Sequence, residues 1–350
     1  MKFRLALLAL YLLAAPSACT AQQNNEADAT LAQDSKSEEG GNPLTGFERM
    51  VGGEWKMTAQ SGTSMYDTWH WGPGKHSLRV MTDGEGADGN PWRSLQVVYW
   101  HPGLKQVRTL GLSPYEAGVS EGTTTLDGDS GVAVVDMYQN PSHRKLSWRM
   151  VFDGPDKYHS TLLESVDGAD YEILSAWDYF RMTPRPAAFP DTAAWARVVP
   201  DRLKAFAGFV GHTWETRGEG VIGDTIRAHS AVELIPLAGG VYARTSQSNN
   251  NGETSHLFDS YFYRHTGTGA LRCLALSEDG SIYEGDVTVL DNGELRLNLT
   301  GYGREGVVPY DIRIEFKSDG TTHQRVWSLE ADERMLILVV HHKKIDRPRN

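Results

Sequence analysis

The stretch Thr68–Ser77, "TWHWGPGKHS", concentrates side chains that could bind a ligand or a metal ion. His70 and His76 flank a Gly-Pro-Gly turn, and two imidazoles can begin a zinc or copper site. No neighbouring cluster of cysteines or carboxylates supplies a third ligand, so we expect no metal here. Successive side chains of a strand alternate between its faces, which places Trp69 and Trp71 together and His70 opposite them. The two tryptophans predict a wall for an apolar or planar ligand, with ordinary core packing as the alternative.

The chain also contains two copies of one pattern. "FERMVGGEW" at 47–55 and "FAGFVGHTW" at 206–214 share a phenylalanine, a Val-Gly pair and a tryptophan. "YWHPG" at 99–103 and "YRHTG" at 263–267 lie 164 positions apart. The constant order and nearly constant offset of these matches indicate an internal duplication.

Each copy has the texture of an antiparallel β structure. Short runs rich in Val, Tyr, Trp, Leu and Thr, such as "SLQVVYW" and "YEILSAWDYF", alternate with turn segments such as "HPG" and "VDGAD". Helical signals occur just before the Val-Gly elements, where Asn42 and Pro43 open one short segment and Pro200 and Asp201 open the other. The fold class that follows is all-β, with a barrel or sandwich in each copy and a short helix before it.

A short helix that leads into Gly53-Glu54-Trp55 resembles the start of lipocalins and their wider calycin relatives. The second copy has one residue more between the glycine and Trp214. The resemblance implies two antiparallel up-and-down barrels at 44–183 and 204–346, with Trp55 and Trp214 on the barrel floors. Tandem lipocalin-like enzymes that hydrate isoprenoid double bonds share this two-barrel outline, although no motif of this sequence connects it with them.

Two histidines and two glutamates occur in both copies. The resemblance suggests that His101 and His265 bind haem or a metal at the barrel mouths; alternatively, each imidazole hydrogen-bonds the backbone of its own turn. Glu121 and Glu284 could act as buried acids or bases, or simply end their strands. The candidate ligand-binding residues are Trp69, Trp71, Tyr99, His101, Glu121, Tyr263, His265 and Glu284.

The first 43 residues predict export. Residues 1–21 have the layout of a signal peptide, with two basic residues, an apolar run and small residues. "PSAC" partly resembles a lipobox, which would make Cys19 a lipidated anchor; cleavage after Ala21 is the alternative. The acidic, polar segment 22–43 predicts a disordered linker. A periplasmic or cell-envelope lipoprotein, or a secreted protein, follows from these features.

The remaining features limit the possible partners. A net charge of −11 argues against nucleic-acid binding. Cys273 lies in an alternating apolar run, "ALRCLAL", which predicts a small buried residue. The proline-rich segment 184–203 predicts a stiff connector between the copies.

These features together predict an exported protein of two duplicated barrels that binds a small apolar or planar molecule without catalysis. A hydratase or isomerase that acts on a hydrophobic substrate inside the first barrel is the competing hypothesis. A haem-binding protein and a purely structural envelope protein are also compatible with the sequence. The membrane is expected as a partner only through a lipid at Cys19.

Overall fold

The computed structural model describes residues 42–58, 64–85, 91–113, 118–139, 142–165, 170–182, 199–220, 225–235, 239–248, 253–304, 306–330 and 333–345. The predicted signal peptide, Cys19, nearly all of the acidic linker and most of the connector lie outside these residues. Within the described part of the chain, no helix is long and apolar enough to cross a membrane.

Ten antiparallel strands form a first closed barrel. They are β1 (Glu54–Thr58), β2 (Ser64–Trp71), β3 (Ser77–Glu85), β4 (Pro91–His101), β5 (Gln106–Leu112), β6 (Val119–Asp127), β7 (Ser130–Gln139), β8 (Ser142–Phe152), β9 (Lys157–Ser165) and β10 (Glu172–Met182). Each strand pairs with its neighbours in sequence, and β1 closes the barrel by pairing with β10. The first barrel therefore has the predicted up-and-down topology.

A second closed barrel repeats this arrangement. Its strands are β11 (His212–Gly220), β12 (Thr225–Ile235), β13 (Gly240–Ser248), β14 (Thr254–Arg264), β15 (Leu271–Ser277), β16 (Ile282–Val289), β17 (Leu295–Gly303), β18 (Gly306–Phe316), β19 (Thr321–Glu330) and β20 (Glu333–Ile345). β11 pairs with β20 to close it. Ten strands can enclose side chains or one small ligand.

A 3₁₀ helix precedes each barrel, at Thr45–Met50 and at Asp201–Phe206. Behind the first helix, the buried Trp55 donates its indole N–H to the Met50 carbonyl at 3.0 Å. Behind the second, Trp214 donates in the same way to Phe209 at 3.2 Å. A buried indole needs such an acceptor, and the two tryptophans find it at the same relative position.

The strand registers confirm the internal repeat. Tyr99 pairs with Arg108, as Tyr263 does with Arg272. Further along, Leu110 faces Glu121 and Leu274 faces Glu284. All-β architecture with two duplicated, antiparallel barrels is thus confirmed, whereas membership of the lipocalin family stays a prediction.

The buried apolar residues form three clusters. One fills each barrel, and the third lies between the barrels. In the third cluster, Val97 and Tyr99 of β4 pack with Tyr261 and Tyr263 of β14. Val98, which points the other way, belongs to the interior of the first barrel. β4 is therefore buried on both faces, which explains its nearly continuous apolar run.

Candidate binding groove and barrel junction

The side chain of His101, at the end of β4 in the first barrel, contacts residues of the second barrel. Its Nε2 donates to Glu284 Oε1 at 3.3 Å, and its Nδ1 accepts the Leu104 backbone N–H at 3.1 Å. The imidazole also packs against Tyr302, with 4.5 Å between the ring centroids. Burial raises the pKa of Glu284, but the bond from His101 and the charges of His101 and Arg272 outweigh it, so that this pKa lies below its usual value.

His265, in the second barrel, makes the equivalent contacts with residues of the first barrel. Its Nε2 lies 3.8 Å from Glu121 Oε2, and its ring lies 4.6 Å from that of Tyr138. Its Nδ1 accepts the N–H groups of Gly267 and Thr268, both at 3.1 Å. These two sets of His, Glu and Tyr contacts, which we call the junction, relate the barrels by an approximate two-fold axis.

The junction accounts for six of the candidate residues. Tyr263 donates its hydroxyl to Glu121 at 2.9 Å, and Tyr99 is buried in the apolar cluster between the barrels. The structure therefore gathers Tyr99, His101, Glu121, Tyr263, His265 and Glu284 where the barrels meet. Each histidine also accepts hydrogen bonds from the backbone of its own turn. A haem iron would have to displace these contacts, because both nitrogens of His101 have partners.

Trp69 and Trp71, the two tryptophans predicted to bind a ligand, do not belong to the junction. They lie beside a groove between the barrels. The groove has a volume of about 590 Å³. It is lined by Val51, Gly52, Gly53, Glu54, Thr68, Trp69, His70, Trp71, Arg79, Asp83, Tyr242, Arg244, His256 and Asp259. We call this feature the inter-barrel groove.

The start of the stretch "TWHWGPGKHS", residues 68–71, forms part of the first-barrel wall of this groove. β2 ends at Trp71, and the 3₁₀ turn Pro73–Lys75 leads into β3. Trp69 is buried and stacks on Phe47 at 6.3 Å between centroids. Trp71 is partly buried, and His70 is exposed on the opposite face of the strand, as alternation requires.

His76 leaves the groove and contacts the second barrel instead. A Cβ atom placed on Gly280 would lie 3.0 Å from its Nδ1. The turn itself is pressed against the second barrel, because a Cβ on Gly74 would meet the Glu278 carbonyl oxygen at 1.8 Å. Among the described residues, no group of three or more metal-ligating side chains occurs.

Polar groups of the second barrel form the other wall. The guanidinium of Arg79, from β3, lies 4.7 Å from the centre of the Tyr242 ring. Tyr242 donates to Asp259 Oδ1 at 2.5 Å, and His256 Nε2 lies 2.7 Å from the same oxygen. Asp259 is almost fully buried, so its charge is balanced by these two donors and by the nearby arginine.

The charges of two arginines act on His70 in this groove. Burial lowers the pKa of His70, and the charges of Arg79 and Arg244 lower it further. The Nε of Arg79 is buried and has no hydrogen-bond partner among the described residues. Arg244 contacts the His256 ring at 3.4 Å. An anionic group in the groove would meet two guanidinium groups.

Sequence reasoning did not find Arg79, Tyr242, Arg244 or Asp259. The available signal was charge within strands: Arg79 interrupts "HSLRV", and Asp259 interrupts "LFDSYF". Alternation places such residues on an outer face, but only the packing of the two barrels brings these faces together.

The fold and the groove define a class: a tandem β-barrel protein with a candidate binding site between its duplicated halves. No protein-family model matches the sequence, and the search of curated proteins finds no match. The solved structures that are similar to it include the following two. One is a protein of unknown function from the DUF3598 family of Nostoc punctiforme, 14% identical, covering 87% of this chain and 99% of that chain, with a TM-score of 0.19. The other is a putative outer membrane protein from Bacteroides fragilis, 9% identical, covering 86% and 99%, with a TM-score of 0.19. At these TM-scores neither likeness supports an argument about function.

Proposed function

We propose that this protein binds, without catalysis, a small planar molecule that carries an acidic group, in the inter-barrel groove. The observation that supports the proposal is the pairing of an aromatic wall with an unsatisfied cation. Trp71 offers a partly exposed ring, and Arg79 presents a buried Nε that has no hydrogen-bond partner in the described part of the chain.

The groove suits such a ligand in size and in chemistry. A volume of about 590 Å³ lies within the range of small-molecule sites, roughly 300–1,000 Å³. The carboxylate of Asp259 interacts with Tyr242 and His256 and, among the described residues, forms no direct ion pair with Arg79 or Arg244, so a ligand anion could hydrogen-bond these guanidinium groups. A carboxylate, sulfonate or phosphate would accept paired hydrogen bonds from a guanidinium.

The location of this activity in the cell rests on the sequence. The signal-like segment 1–21 and Cys19 support export, with tethering to the envelope if Cys19 carries a lipid. A binding protein held by a linker would collect its ligand outside the cytoplasm.

Titration with 1-anilinonaphthalene-8-sulfonate, a planar aromatic sulfonate, tests the proposal. We expect one site per chain, and about tenfold weaker binding after Arg79→Met, equivalent to about 1.4 kcal/mol. Arg313→Met is the matched control, because the Arg313 guanidinium also lies over a ring, that of Trp327 at 5.9 Å, and its Nε also lacks a partner among the described residues.

A second pair of variants tests the aromatic wall. Trp71→Leu should weaken binding of the same probe, whereas Trp327→Leu should not. Equal affinities for Arg79→Met and Arg313→Met, or no binding by the unmodified protein, would contradict the proposal. Native mass spectrometry of the purified protein adds an independent test, since a co-purified acidic small molecule would identify the ligand.

A further inference from the structure

The interior of the first barrel contains buried polar atoms without partners. Asp67, on β2, is buried, and its Oδ1 has no hydrogen-bond partner among the described residues. Two positions further along the same face, the indole Nε1 of the buried Trp69 also has none. Buried polar groups are nearly always hydrogen-bonded, so each such orphan needs an explanation.

At the equivalent positions the polar groups of the second barrel are satisfied, although Thr322 Oγ1 and Ser328 Oγ, elsewhere in that barrel, also lack partners among the described residues. Trp55 pairs with Asp67, which pairs with Thr82; the equivalent row is Trp214, Ser230 and Thr245. There the Ser230 and Thr245 hydroxyls lie 2.9 Å apart and satisfy each other. Val232 replaces Trp69 and leaves no donor to satisfy. The orphaned pair is therefore particular to the first barrel.

Aromatic rings surround Asp67. Trp55, its cross-strand neighbour, meets Tyr158 edge-on at 5.0 Å between centroids, and Tyr158 stacks on Tyr179 at 4.4 Å. Tyr179 is only partly buried, as is Trp177 two residues before it on the same face of β10. Two side chains on this face of β10 therefore keep part of their surface exposed to solvent.

The carboxyl group can serve as donor or acceptor. Burial raises the pKa of Asp67 to about 7, against the smaller lowering effect of its hydrogen bond with Thr82. Near neutral pH a large share of Asp67 is therefore uncharged, and no cation is needed beside it.

We propose that the interior of the first barrel is a second binding site, for a small uncharged molecule with an apolar body and one hydroxyl or carbonyl group. The apolar body packs among Trp55, Tyr158 and Tyr179, and the polar group hydrogen-bonds Asp67 and the Trp69 indole. Trp69 also lines the inter-barrel groove, but Asp67, Tyr158 and Tyr179 do not, and the interior site does not depend on the function proposed for the groove.

Calorimetric titration of the full chain with 2-naphthol tests this site. We expect binding to the unmodified protein, and about tenfold weaker binding after Trp69→Phe, which keeps an aromatic ring and removes the N–H donor. Asp67→Ser, which introduces the residue of the second barrel, should weaken binding to a similar degree. Trp327→Phe, on the second barrel, is the control and should bind as the unmodified protein does.

Further comparisons separate the interior site from the inter-barrel groove. Arg79→Met should keep its affinity for 2-naphthol while losing affinity for the aromatic sulfonate, and Asp67→Ser, a change outside the groove lining, should show the reverse. No heat of binding with the unmodified protein would mean that the interior holds only water, and would overturn the inference. Unchanged affinity in Trp69→Phe would also overturn it, even if Asp67→Ser failed to fold.

Discussion

The junction can be tested by adding a single methyl group at Gly103. A Cβ atom at this position would lie 2.5 Å from Tyr302 Cδ1 and 3.2 Å from His101 Cε1. Carbon atoms in contact are ordinarily about 3.5–4.0 Å apart. The ring of Tyr302 must therefore retreat by about 1 Å, away from the imidazole on which it packs.

The expected cost follows from the position of that ring. Overpacking of a tight site costs about 1–3 kcal/mol. The backbone of Gly103 does not have a positive φ, so the strain comes from the contact alone. Since 1 kcal/mol corresponds to roughly 2–4 °C in a domain of this size, Gly103→Ala should lower the Tm by about 2–12 °C.

Differential scanning calorimetry measures this shift, and Gly208→Ala is the control. A Cβ on Gly208 would lie 3.5 Å from Phe316, an ordinary contact, so its Tm should stay the same or rise slightly. Gly267→Ala should reproduce the loss, because its Cβ would lie 2.6 Å from Tyr138 Cδ1. If Gly103→Ala and Gly208→Ala melted at the same temperature, the close reciprocal packing inferred for the junction would be refuted.

Two further predictions concern buried titratable groups of the second barrel. Burial lowers the pKa of His342 from 6.5 to about 4, so its neutral form stabilises the fold above pH 6.5 and this contribution is lost as the pH falls toward 4. Urea unfolding at pH 7.5 and pH 4.5 should show a loss of about 2.5 kcal/mol from this group, absent in His342→Gln; an equal loss in the variant would disprove the assignment. Burial raises the pKa of Cys273 to about 12, so iodoacetamide at pH 8 should label it, by peptide mass spectrometry, only after unfolding. Labelling of the folded protein at the unfolded rate would contradict this.

Much of the fold could be predicted because it depends on local patterns. Alternating apolar residues and turn segments specify strands, and the repeated Val-Gly and Tyr-x-His-x-Gly elements specify two copies. The exact number of strands was harder to predict from the sequence. The ends of hairpins have no fixed sequence motif, and barrels of eight and of ten strands show the same local alternation of residues. The structure has ten in each barrel.

The candidate site was harder to predict, since it depends on how two closed barrels pack. The alternation of side chains along a strand correctly places His70 on the face opposite to Trp69 and Trp71. It does not predict which outer face of one barrel packs against the other barrel. The resemblance placed His101 and His265 at barrel mouths; their partners, Glu284 and Glu121, are 183 and 144 positions away in the chain. Single-chain periodicity contains no information about such pairings.

Two sides of the interface between the barrels, related by the approximate two-fold axis, carry different side chains. The strand registers make Arg79 equivalent to Tyr242, and these two residues stack on each other across the axis. On one side of the axis the second barrel contributes Arg244 and Asp259. The equivalent residues of the first barrel are Met81 and Leu95, which pack into the apolar cluster between the barrels.

One side of the interface is therefore apolar and keeps the barrels together, while the other carries the charged groups of the inter-barrel groove. Burial of apolar residues stabilises the contact between the two barrels. The polar side of the interface therefore does not need to stabilise that contact. Two identical halves would repeat the same side chains on both sides of the axis. The divergence of Met81 from Arg244, and of Leu95 from Asp259, thus places the apolar contact and the charged groups on different sides of a single duplicated surface.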